Sequence, residues 1–260
     1  MFYLGIDVAK AKLDCSLLLD PASAKRKSKT FTNNKDGFVN LLAWLGKFEI
    51  APVNLHAVME GTGVYHEQVA LALTDAGATV SIVNPAHIKD FGRGIAVRTK
   101  TDSMDSLVLA RYGAMLQPAA WTPPAQEARV LKALLARRDA IAQDLRRELN
   151  RQEKADATDT PELICQSLHE SIKFLKNQLN RLQQDIDDHV NRHPNLRRDY
   201  ELLTSIPGVG QRVGNSLLAI MQCQQFRSAE QLAAYLGLVP VERQSGSSIL
   251  GKARLSKAGP

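Results

Sequence analysis

The stretch "FYLGIDVA" (Phe2–Ala9) is a short apolar run that ends in an acid, and it reads as a strand. "LDCSLLL" (Leu13–Leu19) follows after a short turn and can pair with it as a hairpin, and "KTFTN" (Lys29–Asn33) can add a third strand. Further on, "KDGFVNLLAWLGKF" places Phe38, Leu41, Leu42 and Leu45 at helical spacing. "VNLHAVME" (Val53–Glu60) is again a strand that closes on an acid, "GVYHEQVALALTDAG" a helix stopped by Gly77, and "TVSIVNP" a strand stopped by Pro85. A helix from Asp102 to about Ala114 comes next. Three strands followed by alternating helix and strand predict an α/β domain with a mixed sheet over residues 1–120.

"QPAAWTPPAQ" (Gln117–Gln126) breaks the pattern, because its three prolines favour an extended linker. Two long helical patterns fill residues 126–192. Val130, Leu134, Ile141 and Leu145 form one stripe. In the second, Leu168, Ile172, Leu175, Leu179, Leu182 and Ile186 alternate steps of four and three, a heptad seam that predicts a helical hairpin or a dimerising coiled coil. Residues 196–260 form a third segment. There "LLTSIPGVGQRVGNSLLAIM" gives a helix, a glycine turn and a second helix. "SAEQLAAYLG" gives a helix with Ser228 as N-cap and Gly237 as C-cap. The closing "LVPVERQSGSSILGKARLSKAGP" carries no terminating element, so a truncated chain is expected.

The bulk numbers narrow the class. In 260 residues, 44% are hydrophobic and 23% charged, which excludes a disordered polyelectrolyte. Lys and Arg outnumber Asp and Glu by 33 to 27, compatible with a nucleic-acid partner. Cys15, Cys165 and Cys223 are far apart, arguing against a disulfide framework or a structural zinc site. Neither a signal peptide nor an apolar run of transmembrane length is read, so a cytoplasmic protein is expected.

Four acids stand where chemistry could be done. Asp7 and Glu60 end strands. In "RTKTDSMDS", Asp102 and Asp105 open a helix behind Arg98 and Lys100, three residues apart and hence on one face. Strand ends and helix starts of an α/β sheet can converge on one crevice. Carboxylates suit Mg²⁺ or Mn²⁺, and two-metal phosphodiester cleavage needs several of them around ions about 3.5–4 Å apart. Plainer readings stand beside this one: Asp7 as a turn cap, and Asp102 as an N-cap with Asp105 favouring the positive helix end; "GTG" after Glu60 resembles a phosphate-holding turn but is too short to be specific.

Lys25, Arg26, Lys27 and Lys29 form a basic run read as a hairpin loop. Arg137, Arg138, Arg146, Arg147, Arg151, Arg197 and Arg198 recur on the helices. Such charges form a solvated face or contact phosphates. "IPGVGQ" (Ile206–Gln211) is a helix-hairpin-helix pattern in which Gly208 and Gly210 let backbone N–H groups approach a phosphate. From spacing alone, "QSGSS" (Gln244–Ser248) is a solvated loop followed by Lys252, Arg254 and Lys257.

The blocks "YLGIDVAKAKLD", "EGTGVYHE", "NPAHIKDF", "TKTDSMDSLVLA", "SIPGVGQRVGNSLLA", "YLGLVPVERQSGSS" and "GKARLSKAG", in that order, resemble the DEDD-type insertion-sequence transposases. That family includes bridge-RNA-guided recombinases and the pilin-gene inversion recombinase. The resemblance covers nearly the whole chain. It implies a RuvC-like (RNase H-type) first domain, a coiled-coil middle and a small helical transposase domain. It further implies that Asp7, Glu60, Asp102 and Asp105 bind Mg²⁺ and that Ser245 is the nucleophile joined to DNA. A non-coding bridge RNA would pair with donor and target double-stranded DNA. Lys100, Gly208, Gly210, Lys252, Arg254 and Lys257 are the expected nucleic-acid contacts. A homodimer or homotetramer, associated with the bacterial nucleoid, is expected. Relatives continue past "SKAG", so the activity of this shorter chain is open. Two rivals remain: a metal-only junction-resolving nuclease, and an inactive nucleic-acid-binding remnant. A sugar-kinase-type phosphate loop at "GIDVAK" fits poorly, because Ala9 stands where a glycine is wanted.

Overall fold

The computed structural model describes residues 1–20, 25–61, 63–95, 101–245 and 249–255; for 241–245, 249, 250 and 252 only backbone is described. It divides into two compact units, Met1–Pro123 and Pro124–Pro260.

The first unit is built on a five-stranded sheet. β1 (Phe2–Val8) and β2 (Lys12–Leu18) form the expected hairpin, with β3 (Arg26–Thr32) antiparallel on β2. β4 (Leu55–Glu60) runs parallel to β1, and β5 (Thr79–Val83) parallel to β4, giving the order β3-β2-β1-β4-β5. This is an α/β domain with a mixed sheet, as expected. Strand alternation sorts the side chains onto two faces. Leu4, Ile6, Leu13, Cys15, Leu17, Leu55, Ala57 and Met59 lie in one core. Against them pack Phe38, Leu41, Trp44 and Leu45 of α1 (Lys35–Gly46) and Val69, Ala70 and Leu73 of α2 (Glu67–Asp75). The other face carries Tyr3, Leu18 and Val58, covered by α3 (Pro85–Gly94) and by Leu107, Val108, Leu109 and Ala110 of α4 (Asp102–Leu116).

Several readings need correction. The basic run is not a loop. Arg26, Lys27 and Lys29 lie within β3, exposed on the edge strand, where lysines deter strand-to-strand pairing. Pro85 does not merely end a strand: it occupies the first turn of α3 behind the N-cap Asn84, whose side chain accepts from the Ala86 N–H at 2.9 Å. α2 starts at Glu67 and not at Gly63. The Pro-rich break is tied down, because the Trp121 N–H donates to the Val80 carbonyl at 2.7 Å and Ser81 Oγ lies within 3.0 Å of the Pro118 and Ala119 carbonyls. The segment thus covers the outer edge of β5.

The second unit opens with two 31-residue helices, α5 (Gln126–Asp156) and α6 (Glu162–Arg192). They run antiparallel. His189 Nε2 meets the Glu127 carbonyl at one end, and Gln152 meets His169 toward the other, both at 2.8 Å. The α5 stripe is shifted from the expected one. Ala128, Leu131, Leu135, Arg138 and Ile141 are buried while Val130 is exposed, because α8 also packs on α5 and selects the face with small Ala128. On α6 the heptad seam is buried at Ile172 and Ile186 and half-buried between. α7 (Pro194–Thr204) and α8 (Gln211–Cys223) flank the glycine turn, and α9 (Ala229–Tyr235) has the expected Ser228 cap. The C-terminal segment is not purely helical. β6 (Pro240–Ser245) and β7 (Ile249–Leu255) pair antiparallel, so Ser245 ends a strand opposite Ile249 and does not stand in a free loop. Among the described residues, no helix is long and apolar enough to cross a membrane.

Candidate functional site

Register alone gathers acids at one end of the sheet. Asp7 pairs with Asp14 across the β1–β2 ladder, and β4 runs beside β1 with Ile6 opposite Met59, so that Glu60 is the next residue beside Asp7. Parity places Asp7, Asp14 and Glu60 on the face that α4 covers, since Tyr3, Leu18 and Val58 of the same parity pack there. α4 approaches this face closely at Gly5. A Cβ built on Gly5 would lie 1.9 Å from the Ser106 carbonyl oxygen and 2.4 Å from the Ala110 nitrogen. The missing side chain therefore allows α4 to set its first turn over the strand ends.

That first turn carries Asp102 and Asp105. Thr101, not Asp102, is the N-cap: its side chain accepts from the Met104 N–H at 3.3 Å. Asp102 is thereby released to the crevice. One oxygen each of Asp7, Asp14 and Asp102 all lie within 4.8 Å of one another. A divalent ion with oxygens at about 2.0–2.6 Å holds its ligands at such separations, so the donor set fits a hard cation. Burial raises the Asp7 pKa above the usual carboxylate range, and the charges of Asp102, Asp105 and Asp14 push it further, with Lys12 opposing.

Lys12 is the counter-charge. Its Nζ donates to Asp102 Oδ2 at 2.6 Å and lies 2.9 Å from Asp14 Oδ2. These contacts raise the Lys12 pKa, and the Lys12 hydrogen bond lowers that of Asp102. Asp14 is also held from its other oxygen, where Thr30 Oγ1 donates at 2.5 Å. Beside it opens a pocket of about 340 Å³ lined by Asp14, Ser28, Lys29, Thr30, Ser103 and Ser106. Asp14 and Lys12 were not picked out from sequence. The signal was available, since a hairpin turning at Ala9–Ala11 must put residue 14 opposite residue 7.

The other predicted contacts lie in the second unit or outside the described residues. Gly208 has φ +89°, which suits glycine, and Gly210 is the N-cap of α8 without a side-chain cap. Lys252 and Arg254 belong to β7. Lys100 and Lys257 fall outside the described residues.

Known proteins match this chain at both ends. A DEDD transposase model of the IS110 type matches residues 4–155, and a model described as a transposase of the IS116/IS110/IS902 family matches residues 200–260. The chain belongs to the IS110 transposase family. It is accordingly a transposase/DNA recombinase, an enzyme that acts on DNA, with a DEDD site of the kind that uses a divalent metal. Its relatives include the pilin gene-inverting protein of Moraxella bovis, 34% identical over 258 residues, spanning 99% of this chain and 78% of the relative. The pilin gene-inverting protein of Moraxella lacunata is 33% identical over the same spans. A Thermus thermophilus RuvC structure in complex with a Holliday junction substrate overlaps 46% of this chain and 98% of its own, at 16% identity and a TM-score of 0.34.

Proposed function

We propose that this IS110-type transposase cuts and rejoins double-stranded DNA through a phosphoserine intermediate at Ser245, with Asp7, Glu60, Asp102 and Asp105 holding Mg²⁺ or Mn²⁺. The observation that carries this reading is the convergence of strand-end and helix-start carboxylates over one edge of the sheet, with one oxygen each of Asp7, Asp14 and Asp102 within 4.8 Å of one another. Asp14 is thus a further candidate ligand, and Glu60 and Asp105 are not among those three. When bound, the ion supplies charge stabilisation at the scissile phosphate. Ser245 Oγ attacks phosphorus, its proton leaves to solvent or a neighbouring base, and the departing DNA oxygen is released as a hydroxyl. The phosphoserine ester preserves bond energy for rejoining.

The reading extends to partners. A bridge RNA pairs with donor and target DNA while the protein holds backbones through Lys100, the Gly208–Gly210 turn, Lys252, Arg254 and Lys257. The chain is organised as a RuvC-like domain (1–120), a coiled-coil segment (126–192) that assembles a dimer or tetramer, and a transposase domain (196–260). It works at the nucleoid, in the cytoplasm. The pilin gene-inverting relatives favour inversion or exchange of DNA segments over simple resection.

The decisive experiment traps protein on a nicked or suicide DNA substrate and looks for a denaturation-resistant adduct. Ser245→Ala should remove the adduct and leave RNA and DNA binding within about twofold. An adduct that persists in that variant overturns the nucleophile assignment. Cleavage without any adduct in the wild-type chain points instead to a metal-only nuclease.

A further inference from the structure

Lys12 reaches from the start of β2 to the first turn of α4, ninety positions away, and ends on two of the three clustered carboxylates: Asp102 Oδ2 at 2.6 Å and Asp14 Oδ2 at 2.9 Å. An ammonium and a divalent ion cannot both sit close to these oxygens without strong repulsion. One of them must give way. Asp14, 14% exposed, is held from behind by Thr30, and the helix whose cap is Thr101 fixes the backbone of Asp102. Lys12 is a half-exposed side chain on a flexible four-carbon stem, longer than the short, exposed side chain of Asp102. It is the group that can move, and once moved its three donors need another acceptor. The pocket beside Asp14, the carboxylate that Lys12 contacts, is about 340 Å³, is lined also by Ser28, Lys29, Thr30 and Ser103, and has room for a phosphodiester.

We propose that Lys12 is a positioning residue that couples metal loading to DNA arrival: its ammonium competes with the divalent ion for Asp14 and Asp102, and a DNA phosphate draws it away. The inference rests on the reading of the carboxylates as a metal centre. By linkage, the ion and the DNA each tighten binding of the other by the same factor. A centre built this way charges with metal chiefly when substrate is present.

The test measures Mn²⁺ affinity of the full chain by the electron-paramagnetic-resonance signal of free Mn²⁺, with and without a DNA duplex. In wild-type protein the duplex should tighten Mn²⁺ binding about tenfold. Lys12→Gln should bind Mn²⁺ about tenfold more tightly without DNA and lose most of the duplex effect. Lys12→Met, which keeps the stem, should behave alike, and Lys12→Arg should retain wild-type coupling. A merely structural strut predicts the opposite sign, since its removal would loosen the ligands and weaken Mn²⁺ binding. If Mn²⁺ binds the wild type and the uncharged variants bind equally or more weakly, the role of Lys12 is refuted while the metal centre stands. If no form binds Mn²⁺ with or without DNA, the metal centre itself is refuted and this proposal with it.

Discussion

Asp7 illustrates how one residue can be wrong for stability and right for chemistry. Its pKa is raised, first by burial and then by the neighbouring carboxylates. A raised carboxyl contributes stability that is complete below its unfolded pKa, about 3.9, and is lost as pH rises through the folded value. At neutral pH with a chelator present, charged Asp7 therefore works against folding. Asp7→Asn should melt a few degrees higher than wild type at pH 7 in EDTA and show a smaller difference near pH 4, while strand cleavage falls by at least about a hundredfold. Unchanged melting at pH 7 would contradict the crowding described here. The acids themselves were readable in the sequence because strand ends and helix starts are marked locally. Asp14 and Lys12 were overlooked because their significance comes only from cross-strand register and from a contact with a helix ninety residues away.

At the scale of elements, the seat of α4 depends on Gly5. Any Cβ there would strike helix backbone, which cannot rotate aside as a side chain can. Gly5→Ala should cost about 3 kcal/mol in urea unfolding and displace Asp102 and Asp105 from the strand ends. The opposite edge of the sheet depends on a buried pair. Ser81 has one proton for the Pro118 and Ala119 carbonyls, so His56 Nε2 must donate to Ser81 Oγ, 2.8 Å away. Burial lowers the His56 pKa. Its contribution to stability is thus complete above the unfolded value, about 6.5, and lost as pH falls through the folded one. Ser81→Ala strands the His56 N–H and removes the tie to the Pro118 and Ala119 carbonyls, leaving the Trp121–Val80 bond in place; a loss of about 1–3 kcal/mol at pH 8 by urea titration is expected. Helices and strands with strong periodicity were legible. On α5 the expected stripe holds at buried Ile141 and half-buried Leu134 and fails at exposed Val130, which is as apolar as buried Leu131, so that only packing against α6 and α8 distinguishes them.

For the whole molecule, the formal charge of +6 and the basic residues on exposed β3 and the long helices predict binding dominated by phosphate contacts. Affinity for a DNA duplex should fall by at least about tenfold between 50 and 200 mM salt, read by fluorescence anisotropy. A flat salt profile would show that these charges only solvate the surface.

Taken by itself, the sequence determined the first five strands and the mixed sheet, the helix hairpin and the glycine turn, but not α3 or the β6–β7 pair, because the former depend on periodicity, caps and breakers within a few residues. It also carried the family, through seven blocks in fixed order. Tertiary structure alone decided which acids meet, that Lys12 lies between two of them, that the proline-rich segment seals β5, and that Ser245 ends a strand. Those outcomes depend on register and on how closely two backbones approach, and both are set by side chains far apart in the chain.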